Sequence, residues 1–335
     1  MHVIVLALML APAQQASIDR IVRYVMGDNH ILGLSLAVVR DNRVVYMRGY
    51  GFADRRRTIV TTPATIFAIA SLEKSFIAAT ILRLVERGRL RLDDRLSTFV
   101  PWYAVAKDVT VSELLTHTSG IPDYAQLPGF DRSARNPVSP TALVRRIATL
   151  PLAFPPGTSS NYSNTDYVLL GMIVERVTHA PLAAWLRHDL FMSLGLHATA
   201  RWEPILPEAQ RAEGSVAPGS PTLAFAAAEL ESNAQDLARW LIALFTLHVV
   251  NATDFARMTR PAHLADGTSV QYGMGFYAGT IDGNEGAWHS GYIEGYSSFI
   301  ALVPSRQLGV VLLSNADRVD LGPLAESVLD DSLQR

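Results

Sequence analysis

Ile66-Phe67-Ala68-Ile69-Ala70-Ser71-Leu72-Glu73-Lys74 is the stretch on which the reading of this chain turns. A short apolar run ends at a serine, and the following segment has helical spacing, with Ile77, Ile81, Leu84 and Val85 on one side and a stop near Gly88. A serine and a lysine three positions apart on a helix share one face. An amine beside a hydroxyl is one way to make a weak nucleophile attack a carbonyl. Taken alone, S-x-x-K joins two common residue types, and a capping serine next to a solvated lysine is the commoner source of such a match. The surrounding chain has to decide between the two.

N-terminal to this stretch, Ser17 to Met26 has the apolar spacing of a helix, with Ser17 as its cap. Gly33 to Val39 and Val44 to Tyr50 read as a hairpin turned by Arg40-Asp41-Asn42-Arg43. C-terminal to it, the chain is helix-rich and broken by Pro and Gly: Val111 to Thr116, Pro140 to Ala148, Thr165 to Thr178, Leu182 to Leu190 and Asn233 to Phe245. Then strands return at Tyr272 to Thr280, Ala287 to Ser290, Ser297 to Val303 and Leu308 to Ser314, before a last helix from Leu321 to Leu333. Strands at both ends and helices between them imply an α+β fold. One antiparallel sheet takes strands from both termini, helices cover it, and an all-helical lobe is inserted. The α/β lobe takes about 17–70 and 245–335 and the helical lobe about 71–244, in one domain over 14–335. A cleft between two such lobes is a natural place for catalysis.

With 49% hydrophobic residues in 335, the chain has ample material for a core of this size. A net charge of −2 without a basic block argues against a nucleic-acid partner. The absence of cysteine excludes disulfides, thiolate metal sites and a cysteine nucleophile. No H-E-x-x-H occurs and the nine histidines are scattered, so neither a metal nor another cofactor is expected. Residues 1–13, MHVIVLALMLAPA, read as an export signal cleaved before Gln14, although the positive n-region is nearly missing. No segment has the apolar length of a membrane span.

Two further stretches carry chemistry. Tyr162-Ser163-Asn164 sits on a Pro- and Gly-held loop just before a helix, where a tyrosine can point its hydroxyl into a cleft. A phenol serves as a base only if cations hold it ionised, and Lys74 could supply one. His289-Ser290-Gly291 lies at a strand end, where Gly291 permits close backbone approach and His289 could bond the tyrosine or a substrate carboxylate. No serine has glycine at both −2 and +2, so the α/β-hydrolase elbow is absent. Thr116-His117-Thr118 reads as a turn.

S-x-x-K, then Y-x-N, then a K/H-x-G strand, in this order, resemble the serine β-lactamase and penicillin-binding protein family. The branch most alike holds class C β-lactamases, D-stereospecific peptidases and related carboxylesterases. Gly88-Arg89-Leu90-Arg91-Leu92-Asp93-Asp94, Leu114-Leu115-Thr116-His117-Thr118-Ser119-Gly120-Ile121-Pro122, Pro156-Gly157-Thr158 and Thr165-Asp166-Tyr167-Val168-Leu169-Leu170-Gly171 extend the likeness from about Ile18 to Asn315. The resemblance implies a β-lactamase/transpeptidase-like fold. It makes Ser71 the acylated nucleophile, with Lys74 and Tyr162 as acid and base, and Asn164 bonded to Lys74 or to the substrate amide. His289 stands in for the lysine of true lactamases. The backbone N–H groups of Ser71 and Tyr292 form the oxyanion hole, and Ser290 and Gly291 contact substrate. A donor of that kind is typically worth about 2.7–4 kcal/mol of barrier.

Two departures from the family bear on specificity. Ala227-Ala228-Glu229-Leu230 stands where Ala-Gly-Gly-Leu is usual, which places Glu229 among the substrate-binding residues. Glu73 inside S-x-x-K is also unusual and is expected to be solvated, since it does not share a face with Lys74. The resulting expectation is an exported serine hydrolase without cofactor, cleaving a small-molecule or peptide substrate: an ester, a D-peptide amide or a β-lactam. His289 in place of lysine, with the apolar segment Leu223 to Ala228, tilts it toward carboxylesterase or D-peptidase. The alternative is a catalytically idle penicillin-binding or scaffold protein that kept the fold.

Overall fold

Asp41 and Asn42 reverse the chain at φ of 51° and 59°, a left-handed conformation that Asp and Asn adopt more readily than most residues. They join β1 (Gly33–Arg40) to β2 (Arg43–Gly51), so the hairpin forms where the sequence placed it. The protein is described by a computed structural model covering residues 9–128, 138–201, 210–215 and 225–333. β6 (Tyr277–Ile281), β7 (Asn284–Ile293), β8 (Tyr296–Val303) and β9 (Leu308–Ser314) complete one antiparallel sheet in the order β2-β1-β9-β8-β7-β6. The first hairpin docks beside the last strand, with Leu36 opposite Leu312 and Val38 opposite Val310.

The sheet is buried on both faces, and strand alternation sorts its side chains between two cores. Leu34, Leu36, Val38, Val310 and Leu312 pack with Ile18 and Val22 of α1 (Pro12–Asp28) and with Leu324, Val328 and Leu329 of α8 (Gly322–Leu333). Ala37, Val39, Val311 and Leu313 belong to the larger core on the other side. There they meet α7 (Ala234–Phe245), whose start is capped by Asn233 Oδ1 accepting from the Asp236 N–H at 2.8 Å. Two short strands, β3 (Phe67–Ala68) and β5 (Leu230–Ser232), pair beside this layer with β4 (Ala200–Arg201) at the edge.

α2 (Glu73–Glu86) runs through the centre of the larger core. Its apolar stripe predicts one buried side, yet every residue from Glu73 to Leu82 is buried. The reason is that α2 is flanked by α7, where Phe76 stacks on Trp240 at 4.2 Å between ring centroids, and by α5 (Asn164–Thr178). It ends as expected. Gly88 has φ +65°, its N–H bonds Val85 O, and the Arg89 N–H bonds Leu84 O, the pairing of a Schellman stop. Further helices include α3 (Val111–Leu115), α4 (Pro140–Ile147) and α6 (Leu182–Leu186), the last running into a π turn at Arg187–Phe191.

Two ends differ from the sequence expectation for reasons visible in their contacts. α1 begins five residues before Ser17, because Pro12 suits a first helical position and Gln14 Oε1 accepts from the Ala11 N–H. Leu10 is buried beside it, with its N–H on Val45 O at 3.3 Å, while residues 1–8 of the expected export signal lie outside the described residues. The strand expected from Tyr272 starts only at Tyr277. Gly275, at φ +89° and tight against Ala78, turns the chain so that Tyr272 lies alongside Tyr277.

Candidate active site

Ser71 sits in a 3-10 turn, Ala70–Leu72, that feeds directly into α2. Ala70 holds φ +48°, a left-handed setting that costs a residue with a Cβ roughly 1–2 kcal/mol. The sheet imposes it. Ser298 Oγ donates to Ile69 O at 2.7 Å, and Gly291 lies so close that a Cβ there would stand 2.5 Å from the same oxygen. Gly291 thus gives close approach, toward the backbone that presents the serine.

Lys74, one turn along α2, is fully buried. Its Nζ donates to Ser71 Oγ at 3.0 Å, Asn164 Oδ1 at 2.9 Å and Ala227 O at 2.8 Å. These are the three donors of an ammonium, all used. Burial nevertheless pulls its pKa down to about 7, against the opposing pull of Glu73, Asp123 and Asp166. Tyr162 Oη donates to Ser71 Oγ at 3.0 Å, and burial pushes its pKa well above that of a free phenol. The serine oxygen therefore lies within hydrogen-bond reach of both an amine and a phenol.

The supports of these groups come from distant segments. Asn164 opens α5, and Asp123 anchors it by accepting from its backbone N–H at 3.2 Å and from Nδ2 at 3.3 and 3.2 Å. Gly157 N–H bonds Thr118 O and Asn161 N–H bonds His117 O, so the turn after α3 holds the tyrosine loop. His117 does form a turn, at φ 57°, and it also does more. Its buried ring lies 4.5 Å from the Tyr162 ring, with Nδ1 3.0 Å from Asp166 Oδ2. Tyr277 stacks parallel to Tyr162 at 6.2 Å, and Tyr272 meets both tyrosines edge-on.

His289 is buried behind this aromatic group rather than presented as a cation. Nδ1 is 2.7 Å from Ser290 O, which can only accept, so Nδ1 carries the proton and Nε2, 3.1 Å from Tyr272 Oη, accepts. Burial, with Lys74 nearby, drops its pKa to about 3. Ser290 points through the opposite face of the sheet into a cavity against α8, lined also by Trp288, Tyr292 and Phe299, which differs from the substrate contact expected of its side chain. Tyr292 lies beyond Trp288, where the pairing with β6 ends, and its ladder partner on β8 is Ser297. The Ile293–Tyr296 pair closes the hairpin, so alternation along the ladder turns the Tyr292 N–H away from β8, toward the uncovered edge.

The two departures from the family motif meet each other. Glu73 is fully buried, contrary to the solvated side chain expected from its face of the helix. The reason is that α2 is enclosed on that face as well. Glu73 Oε2 accepts from the Glu229 N–H at 2.6 Å and the Leu230 N–H at 3.2 Å. Glu229 is also buried, with its carboxylate 2.9 Å from the Arg201 guanidinium, so it offers no free charge to the cleft. Residues 223 and 224 of the apolar segment before it lie outside the described residues.

The chain and its fold have counterparts among known proteins. A family model for the β-lactamases matches residues 18–331. The chain belongs to the β-lactamase family. Its members are in general serine hydrolases, and the α+β fold expected from the order of strands and helices is theirs. PbpX of Bacillus subtilis, a relative named for penicillin binding, is 30% identical over 288 residues, which are 83% of this chain and 69% of that protein. A solved octameric penicillin-binding protein homologue from Pyrococcus abyssi superposes with TM-score 0.86 at 26% identity, over 95% of this chain and 77% of that one. A D-stereospecific amidohydrolase from Streptomyces sp. does so with TM-score 0.76 at 26% identity, over 96% and 98%.

Among the supports, Asp123, Tyr272, Tyr277 and the carbonyl of Ala227 escaped sequence reading. A carbonyl has no side-chain signal, and Asp123 stands just outside the Leu114 to Pro122 stretch that carried the resemblance. Only the Tyr272 to Thr280 run hinted at the aromatic wall, as a strand.

Proposed function

We propose that this protein is a serine hydrolase that forms an acyl-enzyme on Ser71 and favours substrates with no free carboxylate beside the scissile bond, namely esters and D-amino-acid amides. Neutral Lys74, with a pKa near 7, takes the Ser71 proton as Oγ bonds the carbonyl carbon. The N–H groups of Ser71 and Tyr292 receive the oxyanion. As the tetrahedral adduct collapses, the carbon–leaving-group bond breaks and Tyr162 passes its proton to the departing oxygen or nitrogen. Lys74 then returns a proton to Tyr162. Water repeats the sequence on the acyl-enzyme and releases the acid, restoring Ser71. Tyr162 suits the acid role because burial keeps its phenol protonated.

The observation that carries the substrate preference is His289. A lysine on this strand would offer a fixed cation to a carboxylate, whereas His289 is neutral with both nitrogens engaged. The name of the Streptomyces relative supports the amide branch. The catalytically idle alternative gains no support from Glu229, which is tied to Arg201. Export is proposed from residues 1–13 alone, and sequencing the mature N-terminus in its native host tests it.

A substrate panel decides the rest: a p-nitrophenyl short-chain ester, a D-amino-acid amide, a D-Ala-D-Ala peptide and a chromogenic cephalosporin, each with a Ser71→Ala control. The ester and amide turn over faster than the two carboxylate-bearing compounds, and Ser71→Ala abolishes all turnover. Faster cephalosporin or D-Ala-D-Ala cleavage overturns the preference. Activity that survives Ser71→Ala overturns the mechanism.

A further inference from the structure

Glu73 places a carboxyl group in the middle of the larger core, where burial pushes its pKa well up, and no step of the proposed reaction uses it. Desolvation makes this a costly place for a carboxyl group. Its Oε1 has no hydrogen-bond partner among the described residues, so satisfying its own oxygens does not explain its presence. What it does accomplish lies entirely at Oε2, which takes the N–H groups of Glu229 and Leu230. Those are the residues that follow Ala227-Ala228, and Ala227 O is the acceptor that Lys74 Nζ reaches at 2.8 Å. Adjacent residues on α2 therefore grip one short segment at two points, Lys74 at the Ala227 carbonyl and Glu73 at the Glu229 and Leu230 N–H groups. From the far side, Arg201 holds the Glu229 side chain at 2.9 Å.

We propose that Glu73 is a positioning residue for Lys74. It braces residues 227–230 against α2 so that the Ala227 carbonyl stays on the lysine, which fixes Nζ on Ser71 Oγ. The two departures from the family pattern are then one device. A glycine-rich segment gives way to one with ordinary side chains, and a buried carboxylate beside the lysine pins its backbone. The brace rests on the assignment of Ser71 and Lys74 made above.

The test uses the full chain, the p-nitrophenyl ester and a fluorophosphonate probe, with three variants. Glu73→Gln keeps an oxygen acceptor at the same reach. Glu73→Met keeps the volume and loses the acceptor, and Glu73→Asp withdraws the carboxylate from the strand. Glu73→Gln retains kcat to within about threefold, while Glu73→Met and Glu73→Asp lose about tenfold or more with KM nearly unchanged, the scale of cost that a small misplacement of a catalytic group brings. Thermal melting shows which variants are folded. If Glu73→Met does not fold, the comparison of Glu73→Asp with Glu73→Gln decides. Wild-type kcat in a folded Glu73→Met or Glu73→Asp overturns the brace, as does a tenfold loss in Glu73→Gln. A wild-type protein that the fluorophosphonate does not label on Ser71 overturns the hydrolase reading instead, so the two failures are distinct.

Discussion

Three polar atoms around Ser71 Oγ and Lys74 Nζ set what the site can do, and burial sets when it can do it. Lys74 loses its proton near pH 7 because the ammonium is desolvated. An amine with a lowered pKa is a usable base at neutral pH, and its protonated form is not. kcat/KM for the ester should therefore rise as pH passes upward through about 7 and level off above it. A pH–rate profile flat between pH 6 and 9 would falsify Lys74 as the base. The same residue scale shows what the residue type leaves open at His289: an imidazole can be a cation near neutral pH, and enclosure here holds it neutral. Ser71, Lys74, Tyr162 and Asn164 were readable because each belongs to a short motif. Asp123 and Ala227 were not, because they meet the site across 41 and 153 residues of chain.

At the scale of elements, stops and turns present the nucleophile. α2 ends at Gly88 in the left-handed region, where an added Cβ would meet nothing within 4 Å. Gly88→Ala should therefore cost only the conformational penalty, about 1 kcal/mol, read from a denaturant midpoint. A loss several times larger would mean that the stop carries contacts beyond its backbone. The start of α2 is of a different kind. Ala70 keeps φ +48° only because β7 and β8 hold the Ile69 carbonyl. The sequence marked this helix by its apolar spacing and its glycine stop. It gave no sign that the polar positions Glu73 and Lys74 would be enclosed, because enclosure depends on α5 and α7 closing over both flanks.

At the scale of the molecule, the sheet divides two cores, and the catalytic groups lie with the larger one. Leu329 on α8 is fully buried in the smaller core, on the far face of the sheet. Leu329→Ala should lower stability by about 2–5 kcal/mol, as core truncations of leucine do. It should leave kcat/KM for the ester within about twofold, since the sheet separates Leu329 from the core that holds Ser71, Lys74 and Tyr162. Calorimetry and steady-state kinetics on one preparation check both, and a tenfold loss of activity would show that the two cores are coupled.

The sequence by itself determined the order of strands and helices, the antiparallel sheet shared by both termini, and the motif residues of the site. Periodicity and local motifs report on neighbours along the chain, and these features are local in that sense. Only the tertiary structure decided which charges survive at the site. It neutralised His289, buried Glu73 against the 229–230 backbone and tied Glu229 to Arg201. Desolvation and long-range partners fix a charge state, and neither is written in the order of the residues.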